Sequence, residues 1–235
     1  TGVVSNYHFS PTETSKENLL RENKKENSIL VTGNTVIDAL LFSVNKIKSS
    51  SFIDDEVVEL QKLIDDHKKV ILVTGHRREN HGQGFLNICA ALKEIAKNHP
   101  ESQIIYPVHL NPNVQKPVYD LLAGIDNIKL IAPLSYPAFV WLMEKSYLII
   151  TDSGGVQEEA PSLGKPVLVM RNTTERPEAV EVGTVLLVGT DSKKIVDEAT
   201  SLLNDNDAYK EMSALHNPYG DGKASQRIVE FLSKK

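Results

Sequence analysis

Apolar runs and helix-patterned segments alternate along most of this chain, and that alternation limits the folds open to it. Strands are expected near Ile29–Thr32, Val70–Thr74, Gln103–Val108, Ile128–Ala132, Tyr147–Ile150, Pro166–Met170 and Thr184–Val188. Several are apolar without a break, such as Val70-Ile71-Leu72-Val73 and Val167-Leu168-Val169-Met170, as strands covered on both faces are. Between them Phe85, Ile88, Leu92 and Ile95 recur at helical spacing, as do Ile195, Ala199, Leu202 and Leu203. Repeated β-α alternation predicts an α/β fold with a Rossmann-like parallel sheet flanked by helices. Ligands in such folds sit beyond the carboxyl ends of the strands.

The turns at those ends carry the polar residues. Tyr147-Leu148-Ile149-Ile150 runs into Thr151-Asp152-Ser153-Gly154-Gly155-Val156-Gln157-Glu158-Glu159. Ser153, Gly154 and Gly155 have the layout of a phosphate cradle, because glycines admit an anion close to the backbone and a helix start offers unpaired amides. Glu159, one turn in, stands where a carboxylate can accept hydrogen bonds from a ribose. The plainer alternative is a tight turn whose glycines serve packing. His76 follows another strand end in Gly75-His76-Arg77-Arg78, and its arginines suit phosphate. His109 follows a third, as either a ligand or a loop-bonded side chain. Arg171 through Glu178 forms a polar loop that could close over a sugar nucleotide or stay solvated. Trp141 with Phe139 and Leu142 reads as core, with Phe139 the candidate to lie against a base. Cys89 reads as a small core residue. No segment has metal-ligand spacing, so neither metal nor cofactor is expected, and Ser153 has no base in a Ser-His-Asp order.

Before the regular series, Ser10-Pro11-Thr12-Glu13 has the form of a capping box with proline at the first helical position, predicting a helix to about Asn23. Further helices are expected from about Thr35 to Ile47, around Asp54–Asp66 and over Ala224–Leu232. The opening Thr1-Gly2-Val3-Val4 is neither a Met start nor a signal peptide, and it points to sequence upstream. The organisation expected is a tail of a preceding Rossmann-like domain over 1–33, a crossing segment over 34–67, a nucleotide-binding domain over 68–216, and a turn and helix over 217–235 that dock back.

The net charge of −5 over 235 residues gives no electrostatic reason to expect nucleic acid. No apolar run approaches the roughly 20 residues that span a bilayer, so no membrane association is expected. One cysteine suits a reducing cytoplasm.

Together these segments resemble the non-hydrolysing UDP-N-acetylglucosamine 2-epimerases. The resemblance rests on Thr32 through Leu40, Thr74 through Asn80, Tyr106 through Pro112, Thr151 through Val167, Arg176-Pro177-Glu178 and Asn217 through Gly222, and it spans essentially the whole chain. It implies a glycosyltransferase-B-like enzyme that interconverts UDP-N-acetylglucosamine and UDP-N-acetylmannosamine for cell-wall polysaccharide synthesis. The implied chemistry removes the proton at carbon 2, expels UDP to leave a glycal, and re-adds UDP after reprotonation on the other face. By the same resemblance His76 is catalytic. Ser153, Gly154 and Gly155 hold phosphate, Glu159 holds ribose, Arg176 lies at the sugar nucleotide and Phe139 near uracil. Arg77 and His109 match positions of a second, activating UDP-N-acetylglucosamine site. The family's first domain, which carries the carboxylates assigned to proton transfer, is expected to lie outside this chain. On that expectation the chain alone is the UDP-binding half and nearly inactive, and the whole protein is a homodimer. A UDP-sugar glycosyltransferase and a non-catalytic UDP-sugar-binding module remain the alternatives.

Overall fold

A computed structural model describes residues 2–49 and 51–234. The chain opens with a short strand, β1 (His8–Ser10), and helix α1 (Glu13–Arg21), and then enters strand β2 (Ile29–Val31), which pairs parallel with β1. The cap of α1 is Thr12, whose Oγ1 accepts the Ser15 amide at 3.1 Å, and not Ser10 as the capping-box reading had it. Ser10 is committed to the strand, where its carbonyl accepts the Thr32 amide at 2.9 Å, so the helix cannot begin before Pro11 has turned the chain. The helix also stops short of Asn23, which adopts a left-handed φ of 59°.

Helix α2 (Thr35–Ile47) is capped by Asn34, whose side chain accepts the Val36 amide. Helix α3 (Asp55–Leu63) is capped in the same way by Asp54. It ends before the expected Asp66, because Ile64 turns extended and the next amide, of Asp65, donates to the Gln103 side chain. Then the regular alternation begins: β3 (Lys69–Thr74), α4 (Gln83–Asn98), β4 (Ser102–Pro107), α5 (Pro112–Leu122), β5 (Ile128–Ile131), α6 (Tyr136–Lys145) and β6 (Leu148–Thr151). It continues through α7 (Gly154–Glu159), β7 (Val167–Val169), α8 (Pro177–Val182), β8 (Val185–Leu187), α9 (Ser192–Asn204) and α10 (Asn206–Ser213), and closes with α11 (Ala224–Leu232).

Among the described residues β3 to β8 form one parallel sheet in the order β5-β4-β3-β6-β7-β8. Each strand feeds one hydrophobic layer on each face, which is why the sequence shows unbroken apolar runs. Ile71, Val73, Ile104, Tyr106, Leu148 and Ile150 face α4 and α9, while Val70, Leu72, Ile105, Ile149 and Val169 face α2 and α6. Leu92 and Ile95 of α4 are fully buried in the first layer, so truncating either to Ala costs about 2–5 kcal/mol. Cys89 lies in the same layer, where burial pushes its thiol up to about 12 and leaves it inert. Trp141 belongs to the second layer, as its apolar context predicts.

The chain's last segment returns to its first. Gly33 and Gly220 meet backbone to backbone, both with positive φ, and the Asn34 amide donates to the Tyr219 carbonyl at 2.7 Å. Helix α11 is capped from α2 by Asp38, which accepts the Ala224 and Ser225 amides at 3.1 and 2.8 Å. Phe231 then packs edge-on against Tyr7 and Phe9, at centroid distances of 5.2 and 5.7 Å. No helix of the described residues is long and apolar enough to cross a membrane.

Candidate functional site

Counting β3 as the first strand of the sheet, the strands lie in the order 3-2-1-4-5-6, which reverses between β3 and β6. Crevices at such reversals bind ligands in doubly wound sheets, because the flanking connections leave in opposite directions and open a gap. Two of the polar turns singled out from sequence meet there. Strand β3 ends at Gly75-His76-Arg77, and its neighbour β6, registered Thr74 to Thr151, ends at Asp152-Ser153-Gly154.

Asp152 joins the two turns. It is wholly buried, and its Oδ2 accepts from the His76 amide at 2.9 Å, the Arg77 amide at 2.8 Å and the Asn80 side chain at 3.2 Å. Its Oδ1 lies 3.6 Å from His76 Nδ1. The Thr74 and Thr151 hydroxyls bond at 2.6 Å, and Thr151 Oγ1 also accepts the Ser153 amide at 2.9 Å. Gly75 permits this closeness, since a Cβ there would come within 3.1 Å of the Tyr106 hydroxyl.

Helix α7 starts at Gly154 without a side-chain cap, so its first amides remain available. Two guanidinium groups flank that start. A Cβ on Gly154 would lie 3.7 Å from Arg77 and 3.8 Å from Arg176. Amides and cations therefore converge on one point, where a doubly charged phosphate group finds complementary charge. Arg176 is ion-paired to Glu158, whose other oxygen accepts from Asn34 at 3.0 Å. The loop that carries Arg176 is braced by buried Arg171, which forks onto Glu175 at 2.6 and 3.0 Å and reaches Glu79 at 2.7 Å. Arg171's hydrogen bonds hold the Glu175 carboxyl down at about 2.

A cleft of about 320 Å³ extends from this point, lined by His76, His109, Ser153, Gly155, Phe139 and Glu159 among others. That is large enough for part of a nucleotide. Glu159 is 7% exposed and accepts the Tyr136 hydroxyl at 2.8 Å. Burial raises its carboxyl above the usual range, against the lowering effect of that hydrogen bond, and neighbouring Glu158 adds to the rise. An underbonded buried carboxylate is suited to a ligand that brings its own donors. The His109 ring stacks on His76 with centroids 5.2 Å apart and planes 17° apart, and its Nδ1 accepts the Asn111 amide at 3.1 Å.

The structure thus brings His76, His109, Phe139, Ser153, Gly155 and Glu159 to one cleft, with Arg77, Gly154 and Arg176 at its phosphate-complementary end. Sequence reasoning did not single out Asp152, Asn80, Tyr136 or Glu158. The first two act across neighbouring strand ends, and Tyr136 acts on a residue from a different helix. Only Glu158 carried a local signal, as the acidic neighbour of Glu159.

The family described as UDP-N-acetylglucosamine 2-epimerase matches residues 1–233. A relative from Yersinia pestis, named UDP-N-acetylglucosamine 2-epimerase, is 60% identical over 232 residues, and the match covers 99% of this chain and 62% of the relative's length. The solved structure of UDP-GlcNAc 2-epimerase from Neisseria meningitidis bound to UDP-GlcNAc is 52% identical, with a TM-score of 0.93 over 100% of this chain and 63% of that one. The Methanocaldococcus jannaschii UDP-GlcNAc 2-epimerase in complex with UDP-GlcNAc and UDP is 36% identical, with a TM-score of 0.80 over 98% of this chain and 62% of that one. The shared architecture is glycosyltransferase-B-like.

Proposed function

This chain belongs to the UDP-N-acetylglucosamine 2-epimerase family, and from that premise we propose that it holds UDP-N-acetylglucosamine for interconversion with UDP-N-acetylmannosamine. The observation that carries the reading is the convergence at the strand reversal of a free helix start, two guanidinium groups and an underbonded buried carboxylate. Those groups match, in order, a diphosphate and a ribose. Ligand-bound relatives from Neisseria and Methanocaldococcus support the same choice of ligand.

In the reaction proposed, a base takes the proton from carbon 2 of the sugar. The electron pair forms the C1–C2 double bond, and the C1–O bond breaks with its pair passing to the β-phosphate oxygen of UDP. Reprotonation of carbon 2 on the opposite face and return of the phosphate oxygen to carbon 1 complete the exchange. While UDP is detached it must neither leave nor turn. Ser153, Gly154 and Gly155 with Arg176 hold its phosphates, Glu159 its ribose, and Phe139 lies by uracil. His76 stands at the diphosphate beside the departing oxygen, in a cleft where charge is less screened than in water. Arg77 and His109, on either side of His76, are assigned to the edge of a second, activating UDP-N-acetylglucosamine. In this reading residues 68–216 form the UDP-binding domain, 34–67 the crossing, and 1–33 with 217–235 belong with a preceding domain. The whole protein is read as a cytoplasmic homodimer, on the family resemblance and the single buried cysteine.

Calorimetric titration of UDP into the chain tests the binding step. Saturable uptake, with UMP bound more weakly for want of the second phosphate, is the expected result. A folded chain that takes up no UDP would refute the placement of the site. In the whole protein, NMR of UDP-N-acetylglucosamine with no acceptor present tests the reaction. Appearance of UDP-N-acetylmannosamine is expected, whereas donor consumption only on adding an acceptor would make the protein a glycosyltransferase.

A further inference from the structure

Asp152 is a carboxylate with two unequal oxygens. Oδ2 is saturated by the amides of His76 and Arg77 and by the Asn80 side chain, the last of which also bonds to the Met170 carbonyl at 3.1 Å. Oδ1 is buried and accepts no hydrogen bond from the described residues. A buried acceptor of that kind is rare and costs desolvation unless something fills it. The nearest donor position is His76 Nδ1 at 3.6 Å, and closing to an ordinary hydrogen bond requires the ring to move by under about 1 Å. The soft χ2 torsion of histidine allows that motion. The stacked His109 ring lies against the imidazole plane, and Arg77, adjacent in sequence, directs its guanidinium to the start of α7.

We propose that Asp152 is the positioning residue of His76: Oδ1 fixes the imidazole as the Nδ1–H tautomer and leaves Nε2 as the nitrogen that works in the cleft. The three donors on Oδ2 anchor the carboxylate so that Oδ1 cannot swing away. What Nε2 does for a ligand rests on the nucleotide-sugar reading above, but the tautomer does not.

The saturation of Oδ2 makes the test sharp. In Asp152→Asn the three N–H groups demand an oxygen at the Oδ2 position, so the new amide nitrogen must take the Oδ1 position. It then donates to Nδ1 and forces the Nε2–H tautomer, with the same shape and one charge fewer. The analogous exchange in serine-protease triads keeps the geometry and installs the wrong tautomer. Long-range ¹H–¹⁵N NMR on the uniformly labelled chain, at a pH where imidazoles are neutral, reads both nitrogens. The His76 signals are assigned by their loss in His76→Gln. The expected result is Nδ1–H in the parent protein and Nε2–H in Asp152→Asn, a shift in tautomer ratio of at least about tenfold. The Nε2–H tautomer in the parent, or the same tautomer in both proteins, overturns the proposal, since a merely structural Asp152 would leave the ring unchanged. If the variant fails to fold, the parent still decides: a strongly deshielded Nδ1 proton upholds the proposal and its lack sinks it. UDP titrated into the same sample separates the two readings. An Nδ1–H imidazole in a chain that ignores UDP would sink the placement of the UDP site and spare Asp152, and UDP uptake with an Nε2–H imidazole would do the reverse.

Discussion

Replacing Glu159 by Ala should cost the chain its grip on ribose while leaving its stability intact, and the two effects can be worked out separately. The carboxylate is 7% exposed, and its only protein hydrogen bond among the described residues is the one from Tyr136. Two ribose hydroxyls would each give it a charge-assisted bond worth about 1.5–3 kcal/mol gross. Water lost from the free site offsets part of that, which leaves about 2–3 kcal/mol, or roughly 30- to 150-fold in UDP affinity. Deleting one hydroxyl by using 2′-deoxy-UDP should cost the parent chain about tenfold. In Glu159→Ala the two ligands should bind alike, which closes a double-mutant cycle on the contact. Stability runs the other way. The folded-state pKa of Glu159 is raised, chiefly by burial, so any stability it lends is present below the unfolded value and is lost as pH rises through the folded one. Above the folded-state pKa the ionised group is a liability to the fold, and its removal there should leave Tm within about 3 °C of the parent. Tyr136, 44% exposed, can turn its hydroxyl to water. The reverse sign applies to ligand uptake: because ribose favours the ionised form, UDP affinity should climb with pH through the Glu159 titration. Glu159→Gln should flatten that climb and leave only the part due to the phosphates of UDP. Calorimetry and thermal melts on the same samples supply every number. A Glu159→Ala chain that still tells UDP from 2′-deoxy-UDP would falsify the ribose assignment.

Arg176→Gln should weaken UDP binding by about 10- to 100-fold and reduce its salt dependence, because one charge-assisted phosphate contact is lost. Adding Glu158→Gln removes the carboxylate left without its cation, so the double variant should regain thermal stability but no affinity. Gly33→Ala should cost about 1–3 kcal/mol, read as a lowered urea midpoint. The position has φ of +87°, and a Cβ would press within 3.3 Å of the Gly220 backbone. Acid titration of folding should show the Arg171–Glu175 bridge. Glu175, depressed to about 2, contributes stability above its unfolded pKa and loses it as pH falls from about 4.5 toward 2. Solvent exposure keeps the effect to about 1 kcal/mol or less, and Glu175→Gln should abolish the corresponding slope in urea melts.

How far this molecule could be read from sequence depends on whether a feature is local. Helices α2 and α11 have the bounds their patterns predict, because each is an amphipathic segment, although only α2 carries its own cap and α11 borrows Asp38. Strand β1 was not foreseen, because His8-Phe9-Ser10 has no strand pattern of its own and exists only by pairing with β2. The same missing partner misplaced the cap of α1. At the site, Ser153, Gly154, Gly155 and Glu159 stood out because one turn carries them all. Asp152 lies in that very turn, but its role depends on which strand lies beside β6. The His76 amide that it holds is 76 residues away. Neighbouring strands are set by packing of both sheet faces, and nothing in the local sequence around Asp152 names β3 as its neighbour. The doubly wound order supplies that information. Once β3 and β6 are taken as the strands flanking the reversal, the first residues past each meet across the crevice. Asp152 is the first residue past β6 and His76 the second past β3. An acid beside a histidine at a strand reversal can therefore be sought from sequence, provided that strand order is assigned before the residues are ranked.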